Sequence, residues 1–382
     1  MYKRLLSSLF AALLLALPGC VDKYQPSVIA SPQRYFVVDG LVNLRGVTTV
    51  KLSYTRSLTT TTVPVEAKAT VRIQDDAGAS YPLTEQAAGT YTSAALTLDA
   101  ARRYQLRVRT AAGREYASDL VQAKLTPPID RVHWAVERNG VQLYVDTHDA
   151  TNNTRYYRWN YSETWRFSTP NYAEFEFVNG AMRRRTDNIQ DCWRTEASTG
   201  ISLSNTARLS QDVVSKFPLV LWPGNSDRFR IKYSILVQQY AQTAEEAAYW
   251  EKLRKNTESL GTLFDPLPTQ LTGNVHCLTD ASELVVGYVG ASSMTEKRLF
   301  IDRSEFPATA TFLTGYENQC EVPDTIPSKR NPVSFAVGFT REYMPLHEVF
   351  NPFGILSGYT RSLTLCADCR LRGTNVKPSF WP

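Results

Sequence analysis

The chain has 382 residues, is rich in tyrosine, phenylalanine and tryptophan (20, 16 and 7), and carries a formal net charge of +5. That length holds two or three domains, each able to bury its own core, and the aromatic content favours strands. The charge excess is too small for a nucleic-acid-binding surface, and it falls to about +3 (5 minus 2) once Lys3 and Arg4 leave with the targeting segment described next.

Lys3 and Arg4 precede an apolar run, Leu5 to Leu17, that is too short to span a bilayer. Leu17-Pro18-Gly19-Cys20 follows and resembles the bacterial lipobox, with Pro18 as a departure from its usual pattern. By that resemblance residues 1–19 are a signal peptide and Cys20 is the lipidated residue. The alternative is an ordinary signal peptide with an incidental cysteine. Two or more acyl chains anchor stably where one does not. Residues 20–33, with Pro26 and Pro32 and no periodicity, read as a tether of roughly 40 Å when extended.

Residues 34–126 predict a small β-sandwich. Val50-Lys51-Leu52-Ser53-Tyr54, Ala69-Thr70-Val71-Arg72-Ile73 and Tyr104-Gln105-Leu106-Arg107-Val108-Arg109 alternate apolar and polar, with turn signals at Asp39-Gly40, Ala77-Gly78 and Ala112-Gly113. Thr126-Pro127-Pro128 reads as a hinge that opens a second β domain, 127–320. Asn139-Gly140 predicts a hairpin. Tyr157, Trp159 and Tyr161 fall on one strand face, and Tyr156, Arg158 and Asn160 on the other. The aromatic face suits either packing between sheets or contact with a ligand or partner. Arg183-Arg184-Arg185 follows the Asn179-Gly180 turn signal and reads as a solvated hairpin flank.

One helix is expected, 243–260. Thr243 is a suitable N-cap, and Glu246 completes a capping box. Glu245 and Glu246 suit the dipole. Tyr249, Leu253, Asn256 and Leu260 give a buried stripe, and Gly261 the C-cap. Phe264-Asp265-Pro266-Leu267-Pro268 then leaves the helix as a rigid apolar segment. Phe264 is accordingly a candidate partner contact.

With Cys20 lipidated, Cys192, Cys277, Cys320, Cys366 and Cys369 remain, enough for at most two disulfides and one thiol. Cys366-Ala-Asp-Cys369 has the spacing of redox and zinc sites, but no second such pair and no following histidine accompany it, so a structural disulfide role is expected. Residues 321–382 are read as a cysteine-containing segment packing on the second domain.

Several stretches together carry a family resemblance. They include Arg155-Tyr156-Tyr157-Arg158-Trp159, Glu163-Thr164-Trp165, Cys192-Trp193, Tyr233-Ser234-Ile235-Leu236-Val237 and Tyr249-Trp250. Phe264-Asp265-Pro266-Leu267-Pro268, Lys297-Arg298-Leu299-Phe300-Ile301 and Cys369-Arg370-Leu371-Arg372-Gly373 extend the list. In order and number they resemble a Bacteroidota lipoprotein family, domain of unknown function 4249. The resemblance implies an outer-membrane lipoprotein, often encoded beside a TonB-dependent receptor, with no established activity. In that phylum Asp324-Thr325-Ile326 also resembles a short O-glycosylation acceptor, with Thr325 as the modified residue.

His133, His148, His276 and His347 are scattered, and neither a nucleophile elbow, a His-Glu-x-x-His helix nor a phosphate loop occurs. Asp146, Asp149 and Glu163 are carboxylates near a turn and read as solvated. The expectation is therefore a mainly β protein of tandem immunoglobulin- or fibronectin-like sandwiches with one conspicuous helix in the second domain. It is expected to be non-catalytic and to need no metal or cofactor. Its membrane attachment would be the N-terminal lipid, and its partner a TonB-dependent receptor. Val21-Asp22-Lys23 holds one acidic residue, short of a surface-export cluster, so the cell surface is only slightly favoured over the periplasmic face. The alternative is a stand-alone surface adhesin or structural protein.

Overall fold

The computed structural model describes residues 34–56, 60–258, 271, 273–327 and 338–382. The segments read as lipobox and tether, and Phe264, lie outside them. The first eight strands are β1 (Phe36–Asn43), β2 (Arg45–Tyr54), β3 (Thr70–Asp75), β4 (Ser80–Ala87), β5 (Thr90–Thr97), β6 (Arg103–Arg109), β7 (Glu115–Ser118) and β8 (Val121–Gln122). They pair in the order β7-β6-β3-β4-β5-β2-β1, with β8 also on β6. The alternation seen in the sequence decides which side faces inward: Tyr104, Leu106 and Val108 of β6 are buried while Arg103 and Arg109 are exposed. The sheet folds over on itself so that Phe36 of β1 stacks on Tyr116 of β7, ring centroids 4.3 Å apart.

The second body holds β9 (Ile129–Glu137), β10 (Gly140–Asp149), β11 (Tyr156–Ser168), the hairpin β12 (Phe175–Val178) and β13 (Ala181–Arg184), then β14 (Asp191–Ala197), β15 (Ser202–Asn205), β16 (Asp212–Trp222) and β17 (Lys232–Gln242). Helix α1 (Ala244–Glu258) follows β17. Asn179 and Gly180 turn the β12–β13 hairpin with positive φ, as that dipeptide predicts.

Residues 275–292, read from the sequence as part of the second domain, add strands to the first sheet instead. They form β18 (Val275–Cys277), β19 (Val285–Val286) and β20 (Gly290–Ser292). β18 pairs antiparallel with β7 at one edge, and β19 and β20 pair parallel with β1 at the other. One short excursion covers both edges, which removes exposed pairing groups. Val275, Cys277, Val285, Val289 and Ala291 join the first core. Asn274 clamps the excursion through both side-chain atoms to the backbone of Val289, at 3.0 and 2.8 Å. Gly287, with φ +136°, passes so close to β1 that a Cβ there would lie 2.0 Å from the Val38 carbonyl oxygen.

β21 (Met294–Asp302) returns to the second body and completes a five-stranded sheet, β14-β11-β17-β21 with β15 also on β11. This sheet packs on the three-stranded β16-β10-β9 around Leu143, Val145, Tyr157, Trp159, Tyr233, Ile235 and Val237. Thr126-Pro127-Pro128, read as a hinge, is pinned. The Pro127 carbonyl accepts from Gln239 Nε2 and Thr295 Oγ1, both at 2.9 Å, and Thr126 N donates to Ser293 Oγ at 2.8 Å.

The C-terminal strands β22 (Asp324–Pro327), β23 (Tyr343–Phe350) and β24 (Leu356–Leu363) form a small sheet. Met344 and Leu346 pack with Ala173 and Ile189, and Tyr359 with Phe175 of β12. Disulfides Cys192–Cys369 and Cys320–Cys366 fasten this region, and Cys277 is a free, buried thiol. The tail runs along the edge of the five-stranded sheet, exchanging backbone hydrogen bonds of 2.8 and 2.9 Å between Trp193 and Thr374. It ends with Trp381 edge-on to Phe300.

Candidate functional site

The face of β11 that looked available for a ligand is core. Tyr157 and Trp159 are 0% exposed, and Tyr161 is half-buried against the same cluster. Trp159 stacks on Phe217 at 4.4 Å, and its Nε1 donates to Gln239 Oε1 at 2.8 Å. Tyr157 donates to the buried Asp212 at 2.5 Å. Thr325 is exposed on β22, beside the Asp324–Arg361 ion pair at 2.9 Å.

The opposite face of β11 opens on the seam between the two bodies. There Arg158 lies over the Tyr240 ring at 4.6 Å and the Trp250 ring at 4.4 Å. Tyr240 is its register partner on β17, and Trp250 reaches it from α1. The cleft in front of it is about 260 Å³, lined by Asn160, Glu246, Tyr288, Met294 and, from the first body, Asp39 and Lys51. Asp39 and Lys51 are register partners on β1 and β2, a placement that favours unlike charges.

Glu246 has a different role from the one its position in α1 suggests. Thr243 does cap the helix, its Oγ1 accepting from Glu246 N at 3.2 Å. The Glu246 carboxylate, though, is buried and accepts from Gln242 Nε2 at 3.1 Å and Trp250 Nε1 at 3.4 Å. It presses on β20 so closely that a Cβ at Gly290 would lie 2.4 Å from Oε2. Burial pushes its pKa above the usual glutamate value, with Arg158 and the two donors opposing. Burial likewise makes the Arg158 guanidinium a weaker base, against the attraction of Glu246. Periodicity could not expose this, because a glutamate at that helix position has a sufficient local explanation.

A larger cleft of about 720 Å³ lies beside Thr126-Pro127-Pro128. Its charged groups are engaged. Lys124 Nζ donates to the Asn153 carbonyl at 3.2 Å, His148 pairs with Asp130 at 2.8 Å, and Asp149 accepts from the backbone of Thr151, Asn153 and Thr154. The seam cleft is the better candidate because Arg158 Nε is buried with no hydrogen-bond partner.

Glu163, read as solvated, is buried and accepts from Trp222 Nε1 at 2.7 Å and from the Tyr233 hydroxyl. Burial raises its pKa, while Tyr233, Arg228 and Trp222 pull it down. Arg228 lies over Trp165 and Trp222, at 4.3 and 3.9 Å. The four histidines stay apart, each beside its own carboxylate. Among the described residues no three metal-capable side chains come together, and no helix is long and apolar enough to cross a membrane.

Several β-sheets, one α-helix among the described residues and an aromatic seam between two bodies define a mainly β protein of sandwich type. The chain belongs to the family described as domain of unknown function DUF4249, whose model matches residues 21–298. No curated protein matches it. Similar solved structures include a DUF4785 family protein from Legionella pneumophila subsp. pneumophila, 12% identical, covering 53% of this chain and 51% of that one at a TM-score of 0.21. The chain thus spans about half the length of that protein. Another is a biofilm associated protein BSP domain, 8% identical, covering 86% and 76% at a TM-score of 0.14.

Proposed function

We propose that this protein is a lipid-anchored, non-catalytic binding subunit of the outer membrane that works beside a TonB-dependent receptor. The observation that carries the partner part of this reading is the turn between β23 and β24. Phe353 is 86% exposed there, with Phe350 and Ile355 also projecting. Large apolar side chains grouped on a hairpin tip mark an interaction surface, and this tip belongs to the region fastened by both disulfides. The resemblance of Leu17-Pro18-Gly19-Cys20 to a lipobox supports the membrane location, and the family resemblance supports the receptor.

Affinity purification from native membranes tests the reading. The wild-type chain should bring down a large β-barrel receptor, and Phe353→Ser should recover markedly less of it at equal abundance. Cys20→Ser should move the chain out of the membrane fraction. Recovery of the lipoprotein with no barrel partner refutes the receptor assignment, and a membrane-bound Cys20→Ser refutes the anchor.

A further inference from the structure

Arg158 is a cation built into the seam with no described counter-ion in contact. Two aromatic rings hold its guanidinium, at 4.6 and 4.4 Å. Its Nε is buried and unpartnered. Nη1 reaches Asn160 Oδ1 at 3.3 Å, and no described carboxylate forms an ion pair with it. Glu246 beside it already accepts from Gln242 and Trp250. Burying an ionised group without contact to an opposite charge is costly, and here the group fronts a cleft.

We propose that this cleft binds a small carboxylate-bearing solute whose carboxylate pairs with Arg158. A guanidinium presents a planar fork that matches a carboxylate in two parallel hydrogen bonds. Stacking on Tyr240 and Trp250 fixes that fork in advance, so less side-chain freedom is lost on binding. A carboxylate on a carbon skeleton is favoured over inorganic phosphate, because a bare phosphate gives the apolar part of the cleft nothing to cover. The volume of about 260 Å³ lies below the range of drug-sized pockets and suits a compact solute. Tyr240, Tyr288 and Met294 supply the apolar wall for its carbon skeleton.

The proposal deepens the binding-subunit reading by naming a ligand class, and the two can fail separately, since this test needs no receptor. The full chain is titrated by calorimetry at low ionic strength with succinate, with the neutral isostere succinamide, and with inorganic phosphate. Succinate should saturate a single site, phosphate should bind more weakly, and succinamide should not bind. Arg158→Gln should weaken succinate at least about tenfold, which is about 1.4 kcal/mol. Because that change removes a packed side chain, Lys51→Glu on the exposed rim is the companion variant. It should weaken succinate several-fold with an unchanged circular dichroism spectrum. No saturable succinate binding to the wild-type chain, equal binding of succinamide, or an affinity unchanged in both variants would each overturn the proposal. Tighter binding of phosphate than succinate would overturn the carboxylate assignment.

Discussion

Removing the disulfides one at a time measures how the C-terminal sheet is held. Cys192–Cys369 joins residues 177 apart in sequence, and Cys320–Cys366 residues 46 apart. Loop-closure entropy assigns about 5 kcal/mol to the first ring and about 4 kcal/mol to the second. Strain and residual structure in the unfolded chain reduce such figures, so each paired Cys→Ala variant should lose about 2–5 kcal/mol. Cys192 and Cys369 are wholly buried against Phe167 and Tyr316, so the first pair also leaves a small cavity and should cost more. Urea unfolding followed by tryptophan fluorescence gives the free energies. Limited proteolysis shows whether residues 321–382 detach before the sandwiches open. Cys277→Ala is the control: the thiol is free and packed beside Thr279 at 3.3 Å, and its loss should cost about 1 kcal/mol or less. If neither paired variant loses more than that control, the bridges do not hold the C-terminal sheet and the reasoning fails.

Glu246→Gln should change how stability varies with pH. Burial raises the Glu246 pKa above 4.5 in the folded chain, so its contribution is fully present below the unfolded value and is lost as pH rises through the folded one. The variant should therefore gain relative to wild type as pH climbs from 4.5 upward, and a pH-independent difference in melting would contradict this. The new amide also supplies a donor beside Gln242 Oε1, which is buried without a partner. Gly290→Ala should cost about 1–3 kcal/mol, because its Cβ would meet Glu246 Oε2 at 2.4 Å; wild-type stability in chemical denaturation would show that the carboxylate is free to move. Trp159→Phe should cost about 1–3 kcal/mol by leaving the buried Gln239 Oε1 without its donor, whereas Tyr161→Phe should be nearly silent in the same assay.

The strands whose pattern runs for six residues or more were legible, because alternation over that length identifies a buried face without knowledge of the partner. β6 shows this, with Tyr104, Leu106 and Val108 inward. The helix was legible from Thr243 and its cap, and the β12–β13 turn from Asn179-Gly180. β18, β19 and β20 were not, since each has only two or three residues and pairs with strands far away in sequence. The cleft failed for a related reason. Arg158 reads as the polar half of an alternating strand until Tyr240 and Trp250 are brought over it. The two cysteine pairings depend on how the tail returns along β14, which spacing alone does not encode.

The excursion through residues 273–292 also decides what a ligand at Arg158 can do. Residues 275–292 cover both edges of the first sheet, and the chain then re-enters the second body as β21. The first sandwich therefore cannot open fully without pulling on β21, the edge strand beside β17. Arg158 and Glu246 sit beside this crossing, with Glu246 against Gly290 and Asp39 of β1 on the far wall. A solute held there touches both bodies at once. It binds the closed seam and not the separated bodies, so by mass action it must stabilise the closed arrangement by RT ln(1 + [L]/Kd). Ligand affinity and the rigidity of the seam are then one equilibrium. Any variant that loosens the seam, Gly290→Ala above all, should weaken succinate even though residue 290 does not line the cleft.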